Sequence, residues 1–165
     1  MPTLASLSEN QDEKIRYFSG TAVYRKEVDI PAKLLQKDIC LKLDLGMVGV
    51  IAEVVVNGTP ADTLWKAPFS MEIGPLLHKG KNELEIRVTN TWRNRLIGDE
   101  HYPQDVPMRG STPAKFPDWL KGKGERQSQR STFCTYQHWN AQSPLQEAGL
   151  IGPVVLKPYK RIILK

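Results

Sequence analysis

Between Asn90 and Asp99 the chain gathers side-chain amides, guanidinium groups, an indole and a carboxylate: Asn90, Trp92, Arg93, Asn94, Arg95 and Asp99. That menu suits a flat ligand rich in hydroxyls. An indole covers an apolar C–H face while amides, arginines and an acid hydrogen-bond the rim. Three later residues extend the set. Trp119 lies in a proline-rich stretch, and His138 and Trp139 adjoin Asn140, which can turn the chain. The candidate carbohydrate contacts are therefore Trp92, Asn94, Arg95, Asp99, Trp119, His138 and Trp139. A blander reading stands beside this one: Trp92 caps the core, Trp119 plugs a loop and the arginines are solvated. Trp65 reads as a packing residue in the core or against a neighbouring domain.

These side chains need rigid elements to hold them. Leu84, Ile86 and Val88 alternate with Glu83, Glu85, Arg87 and Thr89, which predicts a half-buried strand over 82–89. The cluster follows directly where that strand runs out, at a loop, and loops on a rigid scaffold commonly carry function. Earlier segments show the same period of two. Strands are expected over 18–30, ended by Pro31, then over 39–43 and 52–56. The Asn57-Gly58 pair marks a hairpin turn before a short return strand at 63–65 and a further strand at 69–73. A single helical turn is expected at 32–36. Strand after strand without an amphipathic helix predicts an all-β fold, an antiparallel sandwich.

From 97 to 130 the rhythm breaks. Pro103, Pro107, Pro113 and Pro117, with Gly98, Gly110, Gly122 and Gly124, predict a long loop with one helical turn at 118–121. Residues 121–130 read as mobile, having nothing to bury. Strand is expected to resume at 131–139 and 152–158, with a β-prone tail at 161–164. Residues 1–14 read as an irregular segment, leaving 15–165 as a single sandwich domain.

A net charge of +5, partly terminal, makes a weak case for nucleic acid, so none is expected as a partner. No apolar run of membrane-spanning length occurs, and no signal peptide is visible at the first residues. Cys40 and Cys134 are too few for a disulfide framework or a zinc site; a single bridge is conceivable, but two thiols are expected.

Three groups of segments carry a family likeness. Residues 15–26, with Phe18, Gly20, Tyr24 and Arg25, resemble the first long strand of the galactose-binding-like, sugar-binding domain of glycoside hydrolase family 2 and related enzymes. Residues 43–46, 52–58 and 64–69 resemble that domain's central hairpin, with its Asn-Gly turn followed by Trp and Pro. Residues 88–99 and 149–154 resemble the C-terminal β-sandwich of large α-L-rhamnosidase-like hydrolases of family 106. The likeness runs over roughly 15–157. It implies a galactose-binding-domain-like jelly roll that is a non-catalytic accessory module, the tail piece of a larger secreted or periplasmic hydrolase. The implied partners are carbohydrate, as plant or bacterial polysaccharide fragments, and the catalytic domain of the parent. In that family the catalytic carboxylates belong to another domain, so no catalytic residue is expected here; a purely structural brace is the alternative.

The residues themselves give little for a freestanding enzyme. Glycoside hydrolysis needs two carboxyls about 5 Å or about 6.5–9.5 Å apart. The adjacent Asp99 and Glu100 would diverge in extended chain, and nothing pins Asp105 to Asp118. On a strand, Cys134 and His138 would stand about 13 Å apart, too far for a thiolate–imidazole pair. No cofactor is expected. A structural calcium through Asp99 or Asp105 stays open, since oxygen ligands suit it, but no calcium-loop motif supports it.

Overall fold

A computed structural model describes residues 3–162. The described residues form eleven strands, the longer ones alternating in apolar residues, in order β1 (Gly20–Ile30), β2 (Ile39–Asp44), β3 (Met47–Val48), β4 (Ile51–Val56), β5 (Thr59–Leu64), β6 (Ser70–Glu72), β7 (Gly80–Asn90), β8 (Met108–Arg109), β9 (Thr112–Pro113), β10 (Leu150–Gly152) and β11 (Val155–Lys160). An antiparallel four-stranded sheet, β1-β7-β4-β5, faces an antiparallel three-stranded sheet, β11-β2-β6. Short ladders join β10 to β3 and β8 to β9. Ala52, Val54 and Val56 of β4 and Leu84, Ile86 and Val88 of β7 meet Leu43 of β2 and Leu45 just beyond it in one buried core, completed by Ile73 and Leu150. The expected two-layer β architecture is what the chain builds.

The hairpin between β4 and β5 shows how the local sequence acts. Asn57 and Gly58 both have positive φ, 52° and 76°, which a two-residue turn matched to the twist of its strands requires. The return strand begins at once, at Thr59, and is longer than the 63–65 expected; Pro60 is tolerated because β5 is an edge strand.

On the outer face of the larger sheet, Glu85 is buried although it faces away from the core. Arg87 Nε donates to its Oε1 at 2.6 Å and Arg25 Nε to its Oε2 at 2.5 Å. The Arg87 and Arg25 guanidinium groups hold the Glu85 carboxyl below its ordinary range. A lowered carboxylate contributes stability that is fully present above its unfolded-state pKa and is lost as pH falls through the folded value. Wild type should therefore be more stable than Glu85→Gln at neutral pH. Urea midpoints measured at descending pH should converge below the ordinary carboxylate range; a gap independent of pH would show that packing, not charge, is at stake.

Four expectations need correction. Residues 131–139 form no strand; the hydrogen bonds they donate go to the Asp99 and Glu100 side chains and to the Ser111 carbonyl. The segment after β7 is not irregular but turns into α2 (Arg93–Asp99). Residues 121–130 are tethered rather than free, by the arginines described below. The opening segment is not shapeless either: it carries a 3-10 turn at Leu7–Glu9 and α1 (Glu13–Arg16), and the buried Ser6 hydroxyl accepts from Ala148 N–H at 3.0 Å. The expected helical turns at 32–36 and 118–121 appear as 3-10 turns, Ala32–Leu34 and Asp118–Lys121. In the tail, residues 161 and 162 are not in a strand, and 163–164 lie outside the described residues.

Cys40 is buried and Cys134 exposed, both as free thiols. No helix among the described residues is long and apolar enough to cross a membrane.

Candidate functional site

The site region is the long segment from 100 to 148, laid against α2. In the helix, Asn94, Ile97 and Gly98 fall on one side and are buried, the three-and-four spacing of an inward face, and Asp99, its last residue, is buried as well. Its start is fixed by Leu96 N–H donating to the Trp92 carbonyl at 2.9 Å.

Two members of the candidate set turn inward and bind backbone. Asn94 closes a pair of hydrogen bonds on Gln146: its Nδ2 donates to the carbonyl at 2.7 Å and its Oδ1 accepts the N–H at 2.8 Å. Asp99, wholly buried, accepts Ser131 N–H at 3.0 Å on Oδ1, and Thr132 N–H at 2.7 Å and Thr132 Oγ1 at 2.6 Å on Oδ2. Arg95 lies between Asp99, 3.5 Å away, and the face of Tyr17. Trp92 projects outward, 61% exposed, and lines neither depression described below, and Trp65 is 67% exposed, so it does not pack in this chain's core.

The other three candidates belong to the loop surface. His138 lies between Tyr136 and Trp139, with ring centroids 4.8 Å and 5.3 Å away, and the guanidinium of Arg93 stands over Trp139. Trp119 meets Phe133 edge-on at 5.9 Å. The sequence reading brought these indoles into one set, but the structure divides them between two neighbouring depressions.

What holds the loop was missed. Glu100 receives the guanidinium of Arg130 on Oε1, with Gln137 Nε2 at 2.5 Å and Gln104 Nε2 at 3.2 Å on Oε2. Asp105 accepts both arms of Arg126, at 2.9 Å and 2.8 Å, and Arg126 also donates to the Thr132 carbonyl at 2.6 Å. Partly buried, charge-assisted and two-pronged bonds are the strong kind. The available signal was compositional: residues 121–130 offer nothing apolar to bury, yet carry Arg126 and Arg130, which answer Glu100 and Asp105 at the start of the same loop.

The first depression is narrow, with about 20 Å³ of free space, and is lined by Glu100, Gln104, Tyr136, Gln137, His138 and Trp139 among others. Glu100 and Asp105 both contribute to its wall, yet every carboxylate oxygen of the two already accepts from an N–H donor. Asp99 and Asp105 do not fit calcium for the same reason, and no cluster of metal-ligating side chains occurs among the described residues.

Known proteins resemble this chain over nearly its whole length. It is 48% identical over 151 residues to a Formosa agariphila protein named "Putative beta-glucuronidase", a match covering 92% of this chain and 13% of that protein. The solved rhamnosidase of Novosphingobium sp. PP1Y superimposes with a TM-score of 0.74 at 36% identity, covering 94% of this chain and 12% of that one. The chain thus spans about an eighth of the length of these relatives. The family described as glycosyl hydrolase 2 galactose-binding domain-like matches residues 5–152, and the chain belongs to that family.

Proposed function

We propose that this domain is a non-catalytic accessory module that contacts carbohydrate beside the active site of a larger glycoside hydrolase. The observation that carries the reading is the depression at Trp139. Its aromatic wall of Tyr136, His138 and Trp139 and its amides Gln104 and Gln137 stand on a loop held by Glu100 and Asp105. A pyranose ring laid across the mouth of this narrow depression would set its C–H face against the exposed rings, while the amides meet its hydroxyls. The two acids are engaged in holding the loop, which favours positioning over chemistry. The names of the relatives, a rhamnosidase and a glucuronidase, suggest rhamnose- or glucuronate-containing substrates for the parent. A secreted or periplasmic parent, where polysaccharide is met, belongs to the same proposal.

The test is a glycan screen of the chain with and without Trp139→Ala. Binding should weaken about tenfold in the variant, about 1.4 kcal/mol. No binding by wild type would favour the second reading, a structural brace, for which one observation speaks. Trp65 and Trp92 leave the same end of the larger sheet, because Leu64 pairs with Ala52 and Thr89 with the adjacent Ile51, and both indoles are exposed. Exposed indoles at one rim suit burial against a neighbouring domain.

A further inference from the structure

A second depression adjoins the first on the outer side of the loop. It is an open groove with about 700 Å³ of free space, lined by Trp119, Lys115, Lys123, Gln127, Ser128 and Gln129 among others. The two hollows share Gln104, Asp105 and Val106, so one thin wall separates them. That wall and the indole are fixed by the same side chain. Arg126 clamps Asp105 in the wall with both arms and lies 5.0 Å from the centroid of the Trp119 ring, whose edge contact with Phe133 sets its tilt. Gln127 and Gln129 are exposed, and their side chains make no hydrogen bond among the described residues. Free amides beside a held aromatic face are the parts a saccharide unit needs. The groove's free space, about 700 Å³, is within the about 300–1,000 Å³ of a ligand pocket, and the aromatic rim of the narrow Trp139 depression beyond the common wall extends the surface past a single ring.

We propose that the Trp139 depression and the Trp119 groove are two ends of one extended site. It takes an oligosaccharide of several units, crossing at Gln104, rather than a single sugar. This rests on the carbohydrate-contact reading above and adds to it the length of the ligand and the role of Trp119. Arg126 is a positioning residue for both ends.

The experiment is calorimetric titration of the 165-residue chain with oligosaccharides of two, four and six units containing glucuronate and rhamnose. Affinity should rise at least about tenfold from the shortest to the longest, a gain set by added contacts at the far end. Trp119→Ala should erase that gain and leave two-unit binding unchanged, while Trp139→Ala weakens every length. The double variant Gln127→Ala with Gln129→Ala, at exposed positions, should reduce the same gain without touching packing. Affinity independent of length, or a six-unit affinity unchanged in both the Trp119 and the glutamine variants, overturns the extended site and leaves the Trp139 contact standing. Wild type binding no oligosaccharide of any length overturns both.

Discussion

Asp99→Ala is expected to lower stability by about 3–5 kcal/mol, the cost of breaking a buried charged network from one side. The carboxylate is fully buried and accepts three hydrogen bonds from Ser131 and Thr132. Alanine leaves those donors without a partner and Arg95 without its acid. The loop that carries both depressions would lose its inner attachment at the point where it returns to α2. The urea midpoint should fall by about 1–2 M, for a slope of a few kcal/mol per molar. Trypsin should cut after Lys121 or Lys123 faster than in wild type, because loops released from their anchors are the first to be nicked. A midpoint within experimental error of wild type, with unchanged cleavage, would show that Glu100 and Asp105 hold the loop without help.

Gly46→Ala should cost more than about 3 kcal/mol. Gly46 has a φ of 63°, and a Cβ there would overlap the carbonyl of Gly152 and come within 2.8 Å of Pro153 N. Both obstacles are backbone, and Gly46 bridges to Gly152, where β10 meets β3. Making room means parting the ladder that closes the sandwich. Gly58→Ala is the control: its φ is also positive, 76°, but nothing lies within 4 Å of the added carbon. Left-handed strain alone costs about 1–2 kcal/mol. At about 2–4 °C of melting temperature per kcal/mol for a chain of this size, Gly46→Ala should lose at least about 6 °C and Gly58→Ala clearly less. Equal losses would mean that backbone strain, not the close approach to Gly152, governs the site.

The two variants mark the division between local and distant causes. Strand positions were readable because period-two alternation is a local pattern with a single physical origin: one face of each strand enters a core. Leu43, Val54, Ile86 and Val88 could be assigned inward from their neighbours alone, and they are. The Asn57-Gly58 turn was legible for the same reason, since positive φ at two successive residues is a property of those residues.

The candidate site obeyed other rules. Asn94, Arg95 and Asp99 have side chains as fit for a ligand as for a backbone, and only the arrival of 131–132 and 146 beside α2 turned Asn94 and Asp99 toward the chain itself. The expected strand at 131–139 failed because its partners are Asp99, Glu100 and Ser111 rather than a sheet edge. Likewise, the apparently mobile 121–130 is tied by Arg126 and Arg130 to acids some twenty to thirty positions earlier. The amino-acid order alone thus determined a two-layer β framework and its family. Which polar groups face outward was decided by tertiary contacts, because a charged side chain joins whichever partner the fold brings within reach, and no period in the sequence records that distance.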